Sequence, residues 1–225
     1  MNSSNSVLSH PHKIVQAIGL GKKIGAAVVL QDASFALSPE ETCAIVGPSG
    51  SGKSTLLQIL GLLDRPSHGK LELCGVDTAN ATSAELAIMR NRMIGFIFQA
   101  YHLLPRLTCL QNVALPLLYR GLGVRDAQAR AREAIGAVGL SSKEASYPNQ
   151  LSGGQRQRIA IARAIVGEPN LILADEPTGN LDSTSADEIL GLLFSLKRAL
   201  VIVTHDLQLA AQCSRTVVIR DGRIQ

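Results

Sequence analysis

The sequence is low in aromatic residues and in net charge, two features on which nucleic-acid binding commonly depends. Its 225 residues include no tryptophan, three tyrosines and four phenylalanines, and the formal net charge is only +4. The lysines and arginines are scattered along the chain or grouped locally, as at Arg156 and Arg158. This balance does not favour a nucleic-acid ligand, and we expect no nucleic acid among the partners.

Long apolar runs and a cysteine framework are missing as well. No stretch approaches the roughly 18 apolar residues of a transmembrane helix, and the four cysteines lie far apart, at Cys43, Cys74, Cys109 and Cys213. We interpret them as small buried hydrophobes and expect neither disulfides nor a zinc site. Residues 1–12 lack the apolar core of a signal peptide, so we expect a flexible tail and a cytoplasmic protein that reaches a membrane only through a partner.

The chain does contain enough apolar material for one large domain, since 46% of its residues are hydrophobic. Short apolar segments typical of buried strands alternate with helical patterns and are followed by polar residues. These segments are Thr42–Val46, Ile94–Phe98, Leu171–Ala174 and Leu200–Thr204. The alternation predicts an α/β fold built on a mainly parallel sheet.

Three other short runs have strand character but do not follow this alternation. Lys13–Ile18 and Val28–Leu37 are separated by the glycine-bearing segment Gly19–Gly25, and Lys70–Cys74 follows a polar turn. We expect these runs to form a small antiparallel β subdomain beside the nucleotide.

From about residue 100 to residue 166 the sequence changes to Leu, Ala, Arg and Gly at helical spacing. This change predicts an α-helical insertion subdomain within the α/β core. Residues 13–99 and 167–225 would then hold the nucleotide-binding core together with the β subdomain, and we expect no regulatory domain after the last strand.

The segment from Gly47 to Thr55 has the pattern G-x-x-x-x-G-K-S between a predicted strand and a predicted helix. This is the context in which a phosphate-binding loop occurs, because glycines let backbone N–H groups converge at a helix N-terminus. Lys53 is placed to reach the β- and γ-phosphates, and the Ser54 hydroxyl is a ligand for Mg²⁺. The residues expected to contact phosphate are Gly47, Pro48, Ser49, Gly50, Ser51, Gly52, Lys53, Ser54 and Thr55.

Polar residues follow the other predicted buried strands. In an open parallel sheet the strands' carboxyl ends share one edge, so Gln99, Asp175, Glu176 and His205 are expected to converge near the phosphate loop. Asp175 suits a carboxylate that holds Mg²⁺ through water, and Glu176 is placed to orient or deprotonate an attacking water. The phosphate-binding loop alone would suit a kinase, a GTPase or a transport ATPase, and it is the second half of the chain that separates them.

The pentapeptide Leu151-Ser152-Gly153-Gly154-Gln155 resembles the signature motif of the ATP-binding-cassette (ABC) ATPases. The resemblance implies a P-loop NTPase core with a RecA-like sheet, and an ATPase that uses ATP and Mg²⁺. It also implies a homodimer, in which Ser152 and Gly154 contact the γ-phosphate held by the other copy. A serine hydroxyl at a helix N-terminus suits that contact.

Matched motif by motif, the resemblance extends over roughly residues 13–224 and assigns roles to individual side chains. The implied catalytic residues are Lys53, Gln99, Glu176 and His205. The implied Mg²⁺ ligands are Ser54, Gln99 and Asp175. The implied nucleotide contacts beyond the phosphate loop are Ser152, Gly153, Gly154, Gln155 and Asp182, the last within the D-loop.

The segments from Phe98 to Thr108 and from Asn112 to Leu118 resemble a narrower group, the lipoprotein-release and macrolide-export subfamily of LolD, MacB and FtsE. This resemblance implies an ATPase subunit that drives a membrane permease from the cytoplasmic face of the inner membrane. It implies permease contact near Tyr101 to Leu107. The chain departs from the family pattern at Ile24, where an aromatic residue usually stacks on adenine, and at Gln111, which replaces a glutamate.

The connection from Ser195 to Leu200 is about four residues shorter than is usual in this family, so we expect a tight loop there. Two other functions remain as alternatives. One is a soluble ABC ATPase acting on DNA or ribosomes, although such relatives carry coiled coils, zinc modules or a second cassette. The other is a nucleotide kinase, which would leave Leu151 to Gln155 unexplained.

Overall fold

The computed structural model describes residues 13–225, so the expected N-terminal tail lies outside the described residues. This part of the chain contains ten strands and seven α-helices. The strands are β1 (Val15–Ile24), β2 (Ala27–Leu37), β3 (Thr42–Val46), β4 (His68–Leu73), β5 (Val76–Asp77), β6 (Ile94–Phe98), β7 (Leu171–Asp175), β8 (Ala199–Val203), β9 (Arg215–Arg220) and β10 (Arg223–Ile224). The helices are α1 (Lys53–Leu60), α2 (Ser83–Met93), α3 (Cys109–Tyr119), α4 (Val124–Ala137), α5 (Gly153–Ile165), α6 (Ser183–Ser195) and α7 (Leu207–Ala210).

The larger sheet has the strand order β10-β9-β3-β8-β7-β6. Neighbouring strands from β9 to β6 are parallel, and β10 returns antiparallel along β9. Its central strands are buried on both faces, which explains why they are continuous apolar runs. The predicted α/β fold with a mainly parallel sheet is therefore confirmed.

Each face of this sheet has its own hydrophobic core. Alternate side chains such as Leu173 and Val201 pack towards α1 and the smaller sheet. The intervening side chains, such as Ile172 and Ile202, pack towards helices α3 to α6. The period of two along the strands thus divides the molecule into two layers on either side of the sheet.

The smaller sheet is antiparallel, with the strand order β2-β1-β4-β5, as predicted. The expected interruption at Gly19–Gly25 was wrong, because β1 continues through it to Ile24. Register shifts between Ala17 and Leu20 and between Leu20 and Lys22 show that irregular pairing absorbs the glycines. Gly19 has φ 59°, which suits such an irregularity inside a strand.

The loops and helix ends are closely determined by local contacts. Residues 196–198 connect α6 to β8, with Lys197 at φ 47°, so the expected tight loop is present. Thr108 and Gln111 form a reciprocal cap at the start of α3, so Gln111 serves there without a charge. In the part of the chain that the structure describes, no helix is long and apolar enough to cross a membrane.

Candidate functional site

The phosphate loop joins the end of β3 to the start of α1. Gly47, Gly50 and Gly52 have φ angles of 153°, 75° and 104°, in the region that favours glycine. A Cβ atom on Gly47 would lie 2.1 Å from the Ile219 carbonyl oxygen, and one on Gly52 would lie 2.8 Å from the Val29 carbonyl oxygen. The backbone conformation therefore favours glycine at all three positions, and close approach to neighbouring strands also requires it at Gly47 and Gly52.

The start of α1 has the properties of an anion site. Its N-cap residue, Gly52, has no side chain with which to bond the first N–H groups of the helix. The Lys53 Nζ atom donates to the carbonyl oxygens of Gly47 and Pro48, both at 2.8 Å, so the ammonium group is held against the loop. The buried Ser51 Oγ atom has no hydrogen-bond partner among residues 13–225. These donors fit a chain of phosphates.

Asp175 is the last residue of β7 and is paired with Phe98 of β6 and Val203 of β8. Burial raises the pKa of its carboxyl group, the neighbouring charge of Glu176 raises it further, and Lys53 opposes both effects. A buried carboxylate of this kind is stabilised by a cation. Its carboxylate, the Ser54 hydroxyl and the Gln99 amide oxygen are the kinds of hard oxygen ligand that could hold Mg²⁺.

Glu176 is bonded to the end of the neighbouring strand β8. Its backbone N–H donates to the Val203 carbonyl oxygen at 2.9 Å, and its φ angle is 45°. Its Oε1 atom lies 2.8 Å from His205 Nδ1, and its Oε2 atom accepts from Thr204 Oγ1 at 3.3 Å. Both carboxylate oxygens therefore have side-chain partners. Sequence reasoning placed Glu176 and His205 together but missed Thr204, a hydroxyl side chain at the end of an apolar strand.

The contact with Glu176 changes the titration of His205. The hydrogen bond and the negative charge of Glu176 raise the pKa of the imidazole above its ordinary value of 6.5. Because the folded-state pKa is raised, the contact stabilises the fold below the ordinary histidine pKa, and this contribution is lost as the pH rises through the raised value. The His205 side chain is 76% exposed, so the ring has room to move.

Gln99 lies beside the residues that follow Glu176. Its carbonyl oxygen accepts from Asn180 Nδ2 at 2.9 Å. A Cβ atom on Gly179 would lie 2.9 Å from Gln99 Nε2, so the Gln99 amide occupies the space next to that glycine. The structure thus brings Gln99, Asp175, Glu176 and His205 to the same edge of the sheet as the phosphate loop.

The motif from Leu151 to Gln155 forms the start of α5, away from the phosphate loop of the same chain. Ser152 caps the helix, accepting from Gln155 N at 3.2 Å, while its own N–H donates to Gln155 Oε1 at 3.1 Å. A Cβ atom on Gly154 would lie 3.1 Å from Ser185 Oγ. Within residues 13–225 no hydrogen bond joins this motif to Gly47–Thr55. Among the described residues, the phosphate loop and the start of α5 are therefore not joined by hydrogen bonds.

Asp182 has a local partner for each of its carboxylate oxygens. Ser185 donates its N–H to Oδ1 and its hydroxyl to Oδ2, both at 2.9 Å, and these bonds lower the pKa of Asp182. The side chain is therefore the N-cap of α6. The contacts of Asp182 within this chain are those of a helix cap, and the nucleotide contact that the resemblance implies stays a prediction.

A groove of about 830 Å³ lies between α2, α3, β6 and α5. Stacked rings of Phe96 and Phe98, with centroids 5.2 Å apart, line its floor, and His102 packs on Phe98. Its charged lining residues are Arg90, Arg92, Arg120 and Arg163. Among the described residues none of these four arginines forms a salt bridge with a carboxylate. Arg90, Arg120 and Arg163 donate instead to backbone carbonyl oxygens, whereas Arg92 has no hydrogen-bond partner among the described residues. The groove is thus lined by aromatic rings and by arginines, of which Arg92 is the one available to a partner.

The segment from Tyr101 to Leu107 begins at one end of this groove. Tyr101 and His102 have positive φ angles, and Arg163 donates to the carbonyl oxygens of both. The buried Asn112 side chain accepts from Leu104 N and donates to the carbonyl oxygens of Leu104 and Leu107. These bonds fix the segment while leaving the Leu104 side chain 45% exposed.

Comparison with known proteins gives consistent matches. A family model described as ABC transporter matches residues 30–179. The lipoprotein-releasing system ATP-binding protein LolD of Bordetella avium is 49% identical over 87% of this chain and 87% of its own length. A macrolide export ATP-binding/permease protein, MacB 1/2 of Paracoccus denitrificans, is 48% identical over 94% of this chain, which corresponds to 33% of that longer protein.

Solved structures agree with these matches. The bacterial ABC transporter cassette MJ0796, described as dimeric, is 38% identical and superposes with a TM-score of 0.85, covering 94% of this chain and 96% of that one. A second structure of the same cassette gives the same values and is described as a dimeric post-hydrolysis state bound to ADP and Pi.

The contact between Glu176 and His205 predicts a measurable titration. In nucleotide-free protein, NMR should give His205 a pKa above its ordinary value, and Glu176→Gln should lower it because the charge is removed. Glu188→Gln, which removes a carboxylate paired with Arg158 elsewhere, is the matched control and should leave the His205 titration unchanged. An unchanged His205 pKa in Glu176→Gln would contradict the observed pairing.

Proposed function

The chain belongs to the ABC transporter family, and we propose that two copies of it close around two ATP molecules and thereby drive a membrane permease. It is the ATP-binding and ATP-hydrolysing subunit of an ABC transporter, of the type represented by LolD and MacB. The observation that carries the proposal is the joint position of the phosphate loop, Asp175, Glu176 and His205 at one edge of the sheet.

Hydrolysis at this edge would depend on positioning and electrostatics. The phosphate loop and Lys53 hold the polyphosphate of the substrate, and Glu176 aligns the water that attacks the terminal phosphate. His205 leaves Glu176 to bond the same phosphate. Ser54, Gln99 and Asp175 would hold Mg²⁺, which supplies neutralisation of phosphate charge when it is bound.

Each nucleotide would lie between two chains. The start of α5 is capped by Ser152 and is not bonded to the phosphate loop of its own chain, so its N–H groups and hydroxyl remain suited to a phosphate presented by a second copy. Gly154 packs against Ser185 of the same chain, where a side chain would be crowded. We assign Ser152, Gly153, Gly154 and Gln155 to this contact, and the Asp182 loop to the contact between the two copies. The dimeric state of the related cassette supports this assignment.

A permease segment would bind in the groove, with Tyr101 to Leu107 at its edge. The aromatic rings of the groove suit the apolar face of a helix, and the exposed Arg92, which has no hydrogen-bond or salt-bridge partner among the described residues, suits an acidic side chain on that helix. Residues about 100–166 would then move as one helical subdomain relative to residues 13–99 and 167–225. The MacB protein, named an ATP-binding/permease protein, matches this chain over 33% of its own length.

We further propose that the transporter acts in export or lipoprotein release, or transmits force across the membrane, as the names of LolD and MacB suggest for those proteins. The chain would then work at the cytoplasmic face of the inner membrane, held there by the permease.

The catalytic proposal is tested by Glu176→Gln. The amide keeps the shape of the side chain but is a poor base, so ATP turnover should fall about 100-fold or more. ATP binding should persist, and sizing with ATP should show a dimer, because hydrolysis no longer reopens it. Glu188→Gln, which alters an exposed residue of α6, is the control and should hydrolyse ATP at the original rate. Wild-type turnover in Glu176→Gln would remove Glu176 from the mechanism.

The permease proposal is tested by reversing one charge of the groove. Arg92 is exposed and forms no salt bridge among the described residues, so Arg92→Glu should reduce the yield of permease co-purified from detergent-solubilised native membranes by at least fivefold. The ATPase rate of the isolated chain should be unchanged. Arg125→Glu, an exposed residue at the start of α4 outside the groove, is the matched control. Equal yields from the two variants would exclude the groove as the docking site.

A further inference from the structure

We propose that Thr204 is a positioning residue, which anchors one oxygen of Glu176 while His205 is the partner that leaves the other. The proposal rests on the function proposed above, in which Glu176 aligns the attacking water. It adds that two neighbouring side chains have different roles: Thr204 is fixed, and His205 is free to rotate.

Thr204 is held in place from three directions. It follows β8 directly and is only 1% exposed, so its side chain has little room to change rotamer. Its backbone N–H donates to the Ile45 carbonyl oxygen at 3.2 Å, which joins it to the strand before the phosphate loop. Its Oγ1 atom accepts the N–H of Asp206 at 3.0 Å. That bond occupies a lone pair and leaves the hydroxyl proton for Glu176 Oε2, 3.3 Å away.

The residue that orients this hydroxyl is itself fixed. Asp206 is the N-cap of α7, and its Oδ1 atom accepts from Gln208 N at 2.8 Å and from Leu209 N at 3.1 Å. Leu209 is buried in the core between the larger sheet and helices α3 to α6. The anchor therefore extends from the core through α7 and Asp206 to Thr204.

His205 has none of this support. Its side chain is 76% exposed, and among the described residues its one side-chain hydrogen bond is the contact with Glu176 Oε1 at 2.8 Å. Rotation of the ring breaks a single exposed contact, which solvent replaces at low cost. The Oε1 atom is then free to accept a hydrogen bond from water.

The backbone of Glu176 limits the movement that would accompany this exchange. Its N–H is bonded to Val203, the residue before Thr204, and its φ angle of 45° restricts the conformations that the chain can adopt there. Main chain and side chain are thus both attached to the end of β8. Departure of His205 would leave the carboxylate oriented by Thr204 alone.

The test is Thr204→Val, which replaces the hydroxyl by a methyl group of similar size. We expect kcat for ATP to fall about tenfold, with the KM for ATP changed by less than twofold, because the anchor orients Glu176 and does not bind nucleotide. Thr204→Ser keeps the hydroxyl and should recover at least half of the rate. Thr78→Val is the matched control, since Thr78 is also buried and donates its hydroxyl to a carbonyl, Leu71 O at 2.9 Å, in the small sheet.

A second readout separates positioning from a structural role. ATP-dependent dimerisation of Glu176→Gln, followed by sizing, should be the same with and without Thr204→Val. The residual turnover of Glu176→Gln should fall no further in the double variant, because Thr204 acts through Glu176.

Wild-type kcat in Thr204→Val would overturn the inference. A tenfold lower turnover in the double variant than in Glu176→Gln would also overturn it, as would weaker ATP-dependent dimerisation of the double variant. If instead Glu176→Gln alone hydrolyses ATP at the wild-type rate, the proposed function fails in its assignment of Glu176. That outcome is distinct from a failure confined to Thr204.

Discussion

The parallel alignment of four strands is the constraint on which the other features of the molecule depend. Because β3, β8, β7 and β6 run in the same direction and in register, Ile45, Val203, Asp175 and Phe98 lie side by side near their ends. The polar residues that follow must therefore emerge at one edge. Apolar burial on both faces holds the strands in this register, so the hydrophobic cores determine where the chemistry occurs.

At that edge the main electrostatic problem is the concentration of negative charge. Asp175 and Glu176 are adjacent, partly buried, and close to the place where phosphates would bind. The structure offsets this with Lys53, with the start of α1 and with the contact between Glu176 and His205. Of these groups, His205 is the one proposed to move when nucleotide binds. The contact between Glu176 and His205 would therefore stabilise the carboxylate in the nucleotide-free chain and hold His205 close to where the phosphates would bind.

Much of the fold was predictable from the sequence because buried parallel strands are short, continuous and apolar. Gly19–Gly25 was misjudged because glycine ends some strands and forms irregularities in others, and the difference depends on pairing with β2 and β4. Thr204 was missed because one hydroxyl after an apolar run has no pattern of its own. The groove is lined by residues from separate elements that lie between Leu63 and Gly167 in the sequence. No local sequence motif predicts that these residues come together.

We propose that the chain contributes to two different nucleotide sites, since the Ser152 helix start is not hydrogen-bonded to the phosphate loop of its own chain. Ser152→Arg tests it most directly, because the added bulk and charge would block a neighbouring chain's phosphate without touching the loop from Gly47 to Thr55. We expect the variant to bind ATP as a monomer with nearly unchanged affinity, to form no ATP-dependent dimer and to hydrolyse ATP at under about 1% of the original rate. A monomeric variant that hydrolyses ATP at the full rate would contradict it.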